Sequence, residues 1–392
     1  MAIEGPLKGV RVLDLTNVLS GPYCCYQLGL MGAEIIKVER PGTGDLARNL
    51  GADPARNAAG MGISFLAQNA GKSSVTLDLK QEAGRDIFLS LLSTADVVVE
   101  NFRPGVMERL DLGYDVLKAS RPEIIQCAIS GFGQTGPLRG DPAYDQIVQG
   151  LSGVMSVTGD ADSAPLRVGY PVADTVAGMV GAFAIAAALN ARPRGAFIDV
   201  SMMEAMLSTM GWVVSNHLIG GTDPQANGNE NPTSAPSGTF QAQDGPLNIS
   251  ANRDEQWQAL ARHLGRTDLL ENPDYATRED RKRNRIALRA ELEKTLRQRP
   301  AADWVRSLND LGVPSGAVWT VPQALESAQI VERGLIAERD GVPLTASPII
   351  MNGARPQPDR APPSLGAHNE TVFSELGLTA EQIEGLRKSG VI

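Results

Sequence analysis

The stretch GVRVLDLT, residues 9–16, is a short run of β-branched and apolar residues bounded by glycine and by polar residues. Runs of this kind favour a buried β-strand. The first 200 residues hold five more of them: AEIIKVE (33–39), SSVTLDL (73–79), ADVVVENF (95–102), EIIQCAIS (123–130) and AFIDVS (196–201). Glycine-marked or helix-like stretches separate the runs, and this alternation predicts an α/β fold with a mostly parallel sheet.

The chain of 392 residues is too long for one ordinary hydrophobic core. The pattern predicts a large domain and a smaller one. The expected divisions are the N-terminal part of the large α/β domain (1–200), a long helix and linker (201–235), a small domain (236–320), and a return linker with the C-terminal part of the large domain (321–392).

Four stretches, one of them the predicted linker, differ from the strand pattern. Residues 174–189 are apolar on every face, which predicts a helix buried within or between packed units. Residues 201–218 predict one long helix, since Ser201 and Glu204 form a capping-box pair at its start. Residues 220–238 are rich in turn formers and are the predicted linker. A second long helix, strongly charged, is expected at 278–299, with its basic cluster on a solvated face.

Composition narrows the class of protein. Lys and Arg number 36 against 45 Asp and Glu, a net charge of −9, which argues against nucleic acid or an anionic membrane as partner. The three cysteines, Cys24, Cys25 and Cys127, do not suggest a disulfide framework, and we expect them to be small buried side chains. We find no signal peptide and no run of about 18 apolar residues, and expect a cytoplasmic protein.

Several familiar motifs fail on context. GFGQTG (131–136) has the spacing of a dinucleotide fingerprint, but proline follows where a helix should begin. NAGKSS (69–74) lacks the first glycine of a phosphate-binding loop, and a strand follows it. His217, His263 and His368 are isolated, so no metal site is expected. No G-x-S-x-G hydrolase motif occurs, which leaves carboxylates as the candidate chemistry.

Asp174 is the most interesting carboxylate, because it stands at the head of the apolar stretch 174–189. A helix N-terminus favours negative charge, and should keep this group ionised. Taken alone, the position favours a plain N-cap over a catalytic group. Gly178 and Gly181 cost helix stability and should be explained by close packing, either of another helix or of a bulky ligand.

Five ordered blocks give the chain a wider resemblance. They are LKGVRVLDLTNVLSGPYCCYQLGLMGAEIIKVERPGTGD (7–45), KSSVTLDLK (72–80), ADVVVENFRPGVMERLDLGYDVL (95–117), SGFGQTGPLRGDPAYDQIVQGLSG (130–153) and GYPVADTVAGM (169–179). Together they resemble the class III CoA-transferase family, which includes formyl-CoA transferases, carnitine CoA-transferases and α-methylacyl-CoA racemases. The resemblance covers nearly the whole chain. In the last block it places the family's nucleophilic aspartate at Asp174, which favours catalysis there over a cap.

The resemblance also implies binding residues and a fold. Coenzyme A would lie against Val18, Leu19, Arg40, Leu77, Lys80, Asn101, Phe102, Arg109 and Arg139. Tyr144, Arg167 and Arg253 are assigned to the second substrate, the two arginines as candidates for a second carboxylate. The implied fold has a Rossmann-like, mostly parallel sheet built from both chain ends, a smaller α+β domain, and two subunits interlocked as a homodimer.

The racemase branch of the family differs from this chain at its acid and base. Tyr144 stands where the racemases have histidine, and the stretch SANRDEQW (250–257) lacks their glutamate. One aspartate cannot serve both faces of a racemisation, so transfer is favoured. Formyl-CoA transferases have glutamine in the first loop and a glycine run in the small domain. This chain has Leu19 at the position of that glutamine and lacks the glycine run, which argues against oxalate or formate as a substrate.

The expected reaction is covalent transfer of CoA through aspartyl anhydride and aspartyl-CoA thioester intermediates on Asp174. The CoA thioester is a substrate, and no permanently bound cofactor is expected. The sequence is most similar to family members that move CoA from succinyl-CoA to a C4–C6 dicarboxylate such as citramalate, mesaconate, itaconate or hydroxymethylglutarate. Two alternatives remain open: a racemase or epimerase of branched acyl-CoA, and a CoA-binding regulator without activity.

Overall fold

A computed structural model describes residues 5–392 of the chain, which divides into two compact units. The first comprises the residues up to 154, then 167–222 and 331–392, and the second comprises 155–166 and 223–330. Residues 155–166, placed by the sequence within the first 200 residues of the large domain, therefore group with the second unit. The first unit resumes at 331, ten residues after the predicted start of the return linker.

A six-stranded parallel sheet forms the centre of the first unit. Its strands are β1 (Arg11–Asp14), β2 (Glu34–Glu39), β3 (Ser73–Thr76), β4 (Val97–Glu100), β5 (Ile125–Ser130) and β6 (Ala196–Ser201). The order across the sheet is β3-β2-β1-β4-β5-β6, the doubly wound arrangement. Every residue of β3, β4 and β5 is buried, as expected where both faces are covered. The predicted α/β fold with a Rossmann-like parallel sheet is confirmed.

Within the described residues 5–222, ten α-helices accompany the strands of this unit. They are α1 (Ser20–Leu30), α2 (Pro54–Ala58), α3 (Ile63–Leu66), α4 (Glu82–Leu92), α5 (Val106–Arg109), α6 (Tyr114–Ser120), α7 (Asp145–Leu151), α8 (Val172–Asn190), α9 (Met202–Thr209) and α10 (Gly211–Leu218). A 3₁₀ turn at Leu46–Asn49 lies between β2 and α2.

The second unit is a small α+β structure, as the sequence predicted. Its antiparallel sheet has the order β7 (Ser237–Gln241), β8 (Pro246–Ser250) and β9 (Ser315–Ala317). Helices α11 (Asp254–His263), α12 (Asp268–Glu271), α13 (Arg278–Arg283), α14 (Arg285–Leu296), α15 (Ala301–Asp310), α16 (Val321–Glu326) and α17 (Ala328–Glu332) follow in chain order. Trp257, Leu292 and Trp304 belong to its own hydrophobic core.

The C-terminal segment returns to the first unit. It forms a hairpin of β10 (Ile336–Arg339) and β11 (Val342–Thr345), then α18 (Asn369–Glu375) and α19 (Ala380–Lys388). Phe373 and Ile392 are buried in the same hydrophobic cluster as Leu13 and Val98 from the parallel sheet. The first unit is therefore built from both chain ends, which confirms that prediction.

Two predicted long helices are each broken in the structure. The helix expected over 201–218 begins at its cap Ser201 but ends at Thr209, whose hydroxyl donates to backbone carbonyls one turn earlier, and Gly211 starts the next helix. The charged helix expected over 278–299 is interrupted at Asn284, whose side-chain amide donates to the Asp274 carbonyl. Each stretch forms two helices instead of one, so both single-helix predictions are wrong.

Helix α8 is long and apolar, but it is not buried on every face. Gly178 and Gly181 lie against α1 and β5: a Cβ on Gly178 would be 2.4 Å from the Ser20 carbonyl oxygen. Close packing of a helix explains these glycines. Its opposite side exposes Met179, Val180 and Phe183, so packing within the single chain does not bury the helix on every face. By length and composition alone α8 could cross a membrane, with a mean hydropathy of 1.8, which corrects the statement that no such run exists.

Candidate active site

The strand order reverses at β1, which pairs with β2 on one side and β4 on the other. In doubly wound sheets the loops leaving the carboxyl ends of strands separate at such a point and form a crevice. Here the loops after β1 and β4 are joined across it. The Asn17 N–H donates to Asn101 Oδ1 at 2.8 Å, and Asn101 Nδ2 donates to the Asn17 carbonyl oxygen at 2.8 Å.

A cavity of about 290 Å³ opens at this point. Its lining comes from loops, helix starts and the end of β5 in the first unit: Asn17–Ser20, Leu46, Asn101–Pro104, Ile129–Phe132, Arg139, Asp141–Tyr144, Asp174 and Met202. A second cavity of about 190 Å³ shares Asn17 and Phe102 with the first. Arg40, Leu77, Lys80 and Leu110 also line that second cavity. The two cavities are therefore adjacent.

Asp174 reaches the first cavity from the first turn of α8. It is the third residue of the helix, and Pro171 is the N-cap. The helix end is capped from outside, because Asp145 Oδ1 accepts a hydrogen bond from the Ala173 N–H at 2.9 Å. The N-cap interpretation of Asp174 is therefore wrong, and its carboxylate is free to face the cavity.

The pKa of Asp174 is raised from 3.8 to about 7. The main cause is burial, which disfavours the charged form, and the nearby Asp145 carboxylate adds repulsion. A hydrogen bond from Ser20 acts in the opposite direction. The sequence-based expectation that the helix N-terminus keeps this group ionised is wrong, since burial and a like charge outweigh it.

Asp145 organises the segment that leads into α8. Gln149 Nε2 donates to Asp145 Oδ2 at 2.6 Å, and Gln149 Oε1 accepts from the Val168 N–H at 2.8 Å. Both side chains are buried. Arg167 Nη2 lies 3.7 Å from the Asp145 carboxylate, but its side chain is half-exposed. This network fixes the direction of the chain just before Asp174.

Sequence reasoning missed Ser20, Asp145 and Gln149 as parts of the site. Asp145 carried one signal, since it directly follows Tyr144 in a block already identified and opens a helix. Ser20 carried none, because its role depends on the contact between α1 and α8.

The structure brings most of the predicted CoA-binding residues to the two cavities. Val18, Leu19, Asn101, Phe102 and Arg139 line the first, and Arg40, Leu77 and Lys80 line the second together with Phe102. Arg109, at the end of α5, lines neither of them.

The three residues predicted for the second substrate are not all brought together. Tyr144 lines the cavity and is largely exposed. Arg167 is paired with Asp145 and does not line the cavity. Arg253 belongs to the second unit, at the start of α11.

The stretch GFGQTG (131–136), rejected above as a dinucleotide fingerprint, contributes to the candidate site as a loop. After β5 the chain forms a loop, and no helix begins until Asp145, which agrees with the rejection of a dinucleotide fingerprint. Gly131 and Phe132 from this loop line the first cavity. Within residues 5–392, no three His, Cys, Asp or Glu side chains are grouped as metal ligands.

Comparison with known proteins identifies the family. The model of CoA-transferase family III matches residues 7–369. The chain belongs to this CoA-transferase family. An acetyl-CoA:oxalate CoA-transferase of Acetobacter aceti is 41% identical over 354 residues, covering 89% of this chain and 90% of the relative. A succinyl-CoA:mesaconate CoA-transferase of Haloarcula marismortui is 37% identical over 400 residues, covering 95% and 97%.

A solved structure agrees with this family assignment. The crystal structure of a CaiB/BaiF family protein from Brucella suis matches with a TM-score of 0.85 and 34% identity, and the match covers 95% of this chain and all of that one. The protein is thus an enzyme of the class III CoA-transferase type, whose members use CoA thioesters as substrates.

Proposed function

We propose that this CoA-transferase moves CoA from succinyl-CoA to a small dicarboxylic acid through covalent intermediates on Asp174. The observation that carries the proposal is the Asp174 carboxylate, which lines the cavity at the reversal of strand order and whose pKa is raised to about 7. A carboxylate that is shielded from water yet still ionisable near neutral pH is a good nucleophile toward a thioester.

The two adjacent cavities suit the two ends of coenzyme A. The adenine and its phosphates lie in the second cavity, where Leu77 and Leu110 offer apolar contacts and Arg40 and Lys80 offer positive charge. The pantetheine arm passes Asn17 and Phe102, which belong to both cavities. The thioester then arrives at Asp174.

The first half-reaction forms an aspartyl thioester. An Asp174 carboxylate oxygen attacks the thioester carbonyl of succinyl-CoA, the carbon–sulfur bond breaks, and CoA leaves as the thiolate. The product on the enzyme is a mixed anhydride. The thiolate then attacks the aspartyl carbonyl, which releases succinate and leaves CoA bound to Asp174 as a thioester.

The second half-reaction runs the same steps in reverse order with the new acid. A carboxylate of the acceptor attacks the aspartyl thioester and displaces the CoA thiolate, giving a second anhydride. The thiolate attacks the acceptor's acyl carbon, and the Asp174 carboxylate is regenerated. No net proton transfer is needed. Backbone N–H groups around the cavity stabilise the oxyanions that form at each step.

The relatives support a dicarboxylate acceptor by their names. Besides the mesaconate enzyme, a succinyl-CoA–D-citramalate CoA-transferase of Chloroflexus aurantiacus is 32% identical over 404 residues. Arg103 and Arg139 line the first cavity and are able to bind a second carboxylate. The relative from Acetobacter aceti is named for acetyl-CoA and oxalate, so this pair of substrates is the second candidate.

We also propose an oligomeric state and a cellular location for the enzyme. The active protein is a homodimer, as the family resemblance implies, and the exposed apolar side chains of α7, α8 and α10 support this. It works in the cytoplasm, where its three buried free cysteines are compatible with a reducing environment.

The test incubates the enzyme with succinyl-CoA or acetyl-CoA and a panel of acids: mesaconate, citramalate, itaconate, hydroxymethylglutarate, glutarate and oxalate. New thioesters are followed by mass. We expect acceptor-dependent product from succinyl-CoA, lost in Asp174→Ala and Asp174→Asn. Asp86→Asn, which changes an exposed carboxylate on α4, is the control and should retain activity.

Three results would contradict parts of this proposal. Full activity of Asp174→Ala would exclude the nucleophile. If product forms only from acetyl-CoA and oxalate, these two compounds are the substrates in place of succinyl-CoA and its acceptor. Exchange of the α-hydrogen of a branched acyl-CoA with deuterated water, without any acceptor, would identify a racemase. A different result would support the proposal: trapping of an acyl-enzyme at Asp174 by hydroxylamine would exclude a non-catalytic CoA-binding protein.

A further inference from the structure

Val18, in the loop between β1 and α1, has an unusual backbone conformation. Its φ is +67°, in the left-handed region. Among residues 5–392, only three other non-glycine residues have a positive φ: Asp111, Asp340 and Asn352. Asp and Asn tolerate this region, whereas a β-branched residue there is a clear outlier. Such strain persists only where the surrounding structure enforces it, most often at functional sites.

A buried ion pair between Lys37 and Asp45 holds Val18 in this conformation. Asp45 Oδ1 accepts the Val18 N–H at 2.9 Å, and Asp45 Oδ2 lies 3.0 Å from Lys37 Nζ. Lys37 Nζ also donates to the Thr16 carbonyl oxygen at 2.7 Å. Neither side chain of the pair is exposed to solvent. One pair of charges therefore fixes the backbone on both sides of Asn17.

The rest of the loop is fixed from the other side of the crevice. Asn101 holds both backbone groups of Asn17, and its Nδ2 lies 3.3 Å from Ser20 Oγ. Ser20 in turn hydrogen-bonds to Asp174. The chain of contacts thus runs from Lys37 and Asp45 through the strained residue to the proposed nucleophile.

Stability alone does not explain these features. Replacing a buried ion pair by apolar side chains of similar volume is often neutral or stabilising, so the pair is weak evidence of a stabilising role. Glycine at position 18 would take the same conformation without strain. The chain instead has valine there, and this residue lines the first cavity.

We propose that Lys37 and Asp45 are positioning residues for catalysis: they hold Val18 in the left-handed conformation, so that its side chain faces the thioester and Ser20 is set against Asp174. The proposal rests on the proposed function for its kinetic consequences only. Its structural half, that Val18 is strained and held by Asp45, is tested without any substrate.

The first experiment replaces Val18 by glycine. Valine-to-glycine changes normally lower the melting temperature. Because glycine relieves the strain, Val18→Gly should melt at or above the wild-type temperature. Its kcat/KM should nevertheless fall on the order of 10-fold to 100-fold, because the reacting groups are no longer held in place. Asp340→Gly, at a positive φ of 50° in the β10–β11 turn, is the control and should leave kcat/KM unchanged.

The second experiment compares two changes at Asp45. Asp45→Asn keeps an oxygen to accept the Val18 N–H but removes the nearer of the two carboxylates paired with Lys37, the other being Asp14 at 3.9 Å, so it should lower the melting temperature while kcat stays near the wild-type value. Asp45→Ala removes the acceptor and should lower kcat strongly with little effect on KM. In a Val18→Gly background, the loss of kcat caused by Asp45→Ala should shrink, because glycine does not need to be held against strain.

The outcomes test the strain at Val18 and the positioning role of Lys37 and Asp45 separately. A clear drop in the melting temperature of Val18→Gly would overturn the strain. Unchanged kinetics of Val18→Gly, or kcat values of the two Asp45 variants that simply follow their melting temperatures, would overturn the positioning role. If the wild-type protein transfers no CoA, the proposed function fails, while the melting temperatures still decide whether Val18 is strained.

Discussion

Opposing effects act on the charge of the Asp174 carboxylate. Burial and the Asp145 carboxylate raise its pKa to about 7, while the Ser20 hydrogen bond lowers it. Only the ionised form attacks a thioester. We therefore expect kcat/KM to rise with pH through a midpoint of about 7 and to be lost as the group becomes protonated below it. A pH profile with succinyl-CoA measures this, and a flat profile between pH 5 and 8 would contradict it.

Asp145→Asn tests the second cause of the raised pKa. Asparagine can still accept the Ala173 N–H, but it carries no charge. The midpoint of the kcat/KM profile should therefore move to lower pH, because ionised Asp174 is no longer repelled. The control is Asp141→Asn, which removes a carboxylate that lines the cavity but is not among the causes of the shift. An unmoved midpoint in Asp145→Asn would exclude this electrostatic coupling.

The raised pKa also has a consequence for folding stability. The pKa of Asp174 is higher in the folded protein than in the unfolded chain, so ionisation of this group destabilises the fold. The free energy of unfolding therefore falls as pH rises from about 4 to about 7. Asp174→Asn stays neutral throughout. We expect its melting temperature to exceed that of the wild type by much more at pH 8 than at pH 4.5. Thermal unfolding at the two pH values checks this, and an equal or lower melting temperature at pH 8 would contradict it.

The sequence identified Asp174 but not its charge state, and the reason is physical. Its helix and its family block are local features of the sequence. Its pKa is set mainly by burial, then by repulsion from Asp145, 29 positions earlier, and by an opposing hydrogen bond from Ser20 on another helix. Such contacts depend on packing, which residue spacing does not specify.

At the element scale, the close packing of α1 on α8 determines where the nucleophile lies. A Cβ on Gly178 would lie 2.4 Å from the Ser20 carbonyl oxygen, and backbone cannot yield as a flexible side chain can. Gly178→Ala should therefore destabilise the protein by about 1–3 kcal/mol. It should also lower kcat, because it moves Ser20 relative to Asp174.

Gly385→Ala in α19 is the matched control for that change. Nothing lies within 4 Å of a Cβ at this position. Alanine is the better helix former, so this variant should gain roughly 0.5–1 kcal/mol and keep full activity. Chemical denaturation of both variants decides the matter. Equal effects of the two substitutions would show that α1 and α8 are not in close contact.

The elements differ in how far the sequence predicted them. All six strands of the parallel sheet were predicted, since apolar runs between glycines are local signals. The two long helices were not, because their breaks depend on single side chains such as Asn284, which bonds to backbone ten residues away. The exposed side of α8 was missed for a different reason. Periodicity shows that a face is apolar, but not what covers it.

At the scale of the whole molecule, one topological feature brings the chemistry together. The reversal of strand order at β1 separates two loops, and Asn17 and Asn101 join them at the point where both cavities meet. The residues that line the two cavities come from twelve separate stretches of the chain, the first beginning at Leu15 and the last at Met202. Sequence order alone does not show this convergence, whereas a parallel sheet requires the ends of its strands to meet.

The last prediction concerns the exposed apolar side chains. Phe183 on α8 is 75% exposed and Trp212 on α10 is 84% exposed, which is unfavourable for a monomer in water. A second copy of the chain is the proposed cover. We expect light scattering to give twice the chain mass of 41.6 kDa, and Phe183→Glu or Trp212→Glu to shift the mass toward the monomer.

Val116→Glu on α6 is the control, because Val116 is an exposed apolar residue that follows Asp115 and lies on a different helix from Phe183 and Trp212. It should remain a dimer. If the wild type is a monomer at micromolar concentration, or if the glutamate at 183 leaves the dimer intact, the apolar side of α8 has another partner. A dimer that dissociates in Phe183→Glu and loses transfer activity as well would link assembly to catalysis, because α8 carries Asp174 at its first turn and Phe183 further along the same helix.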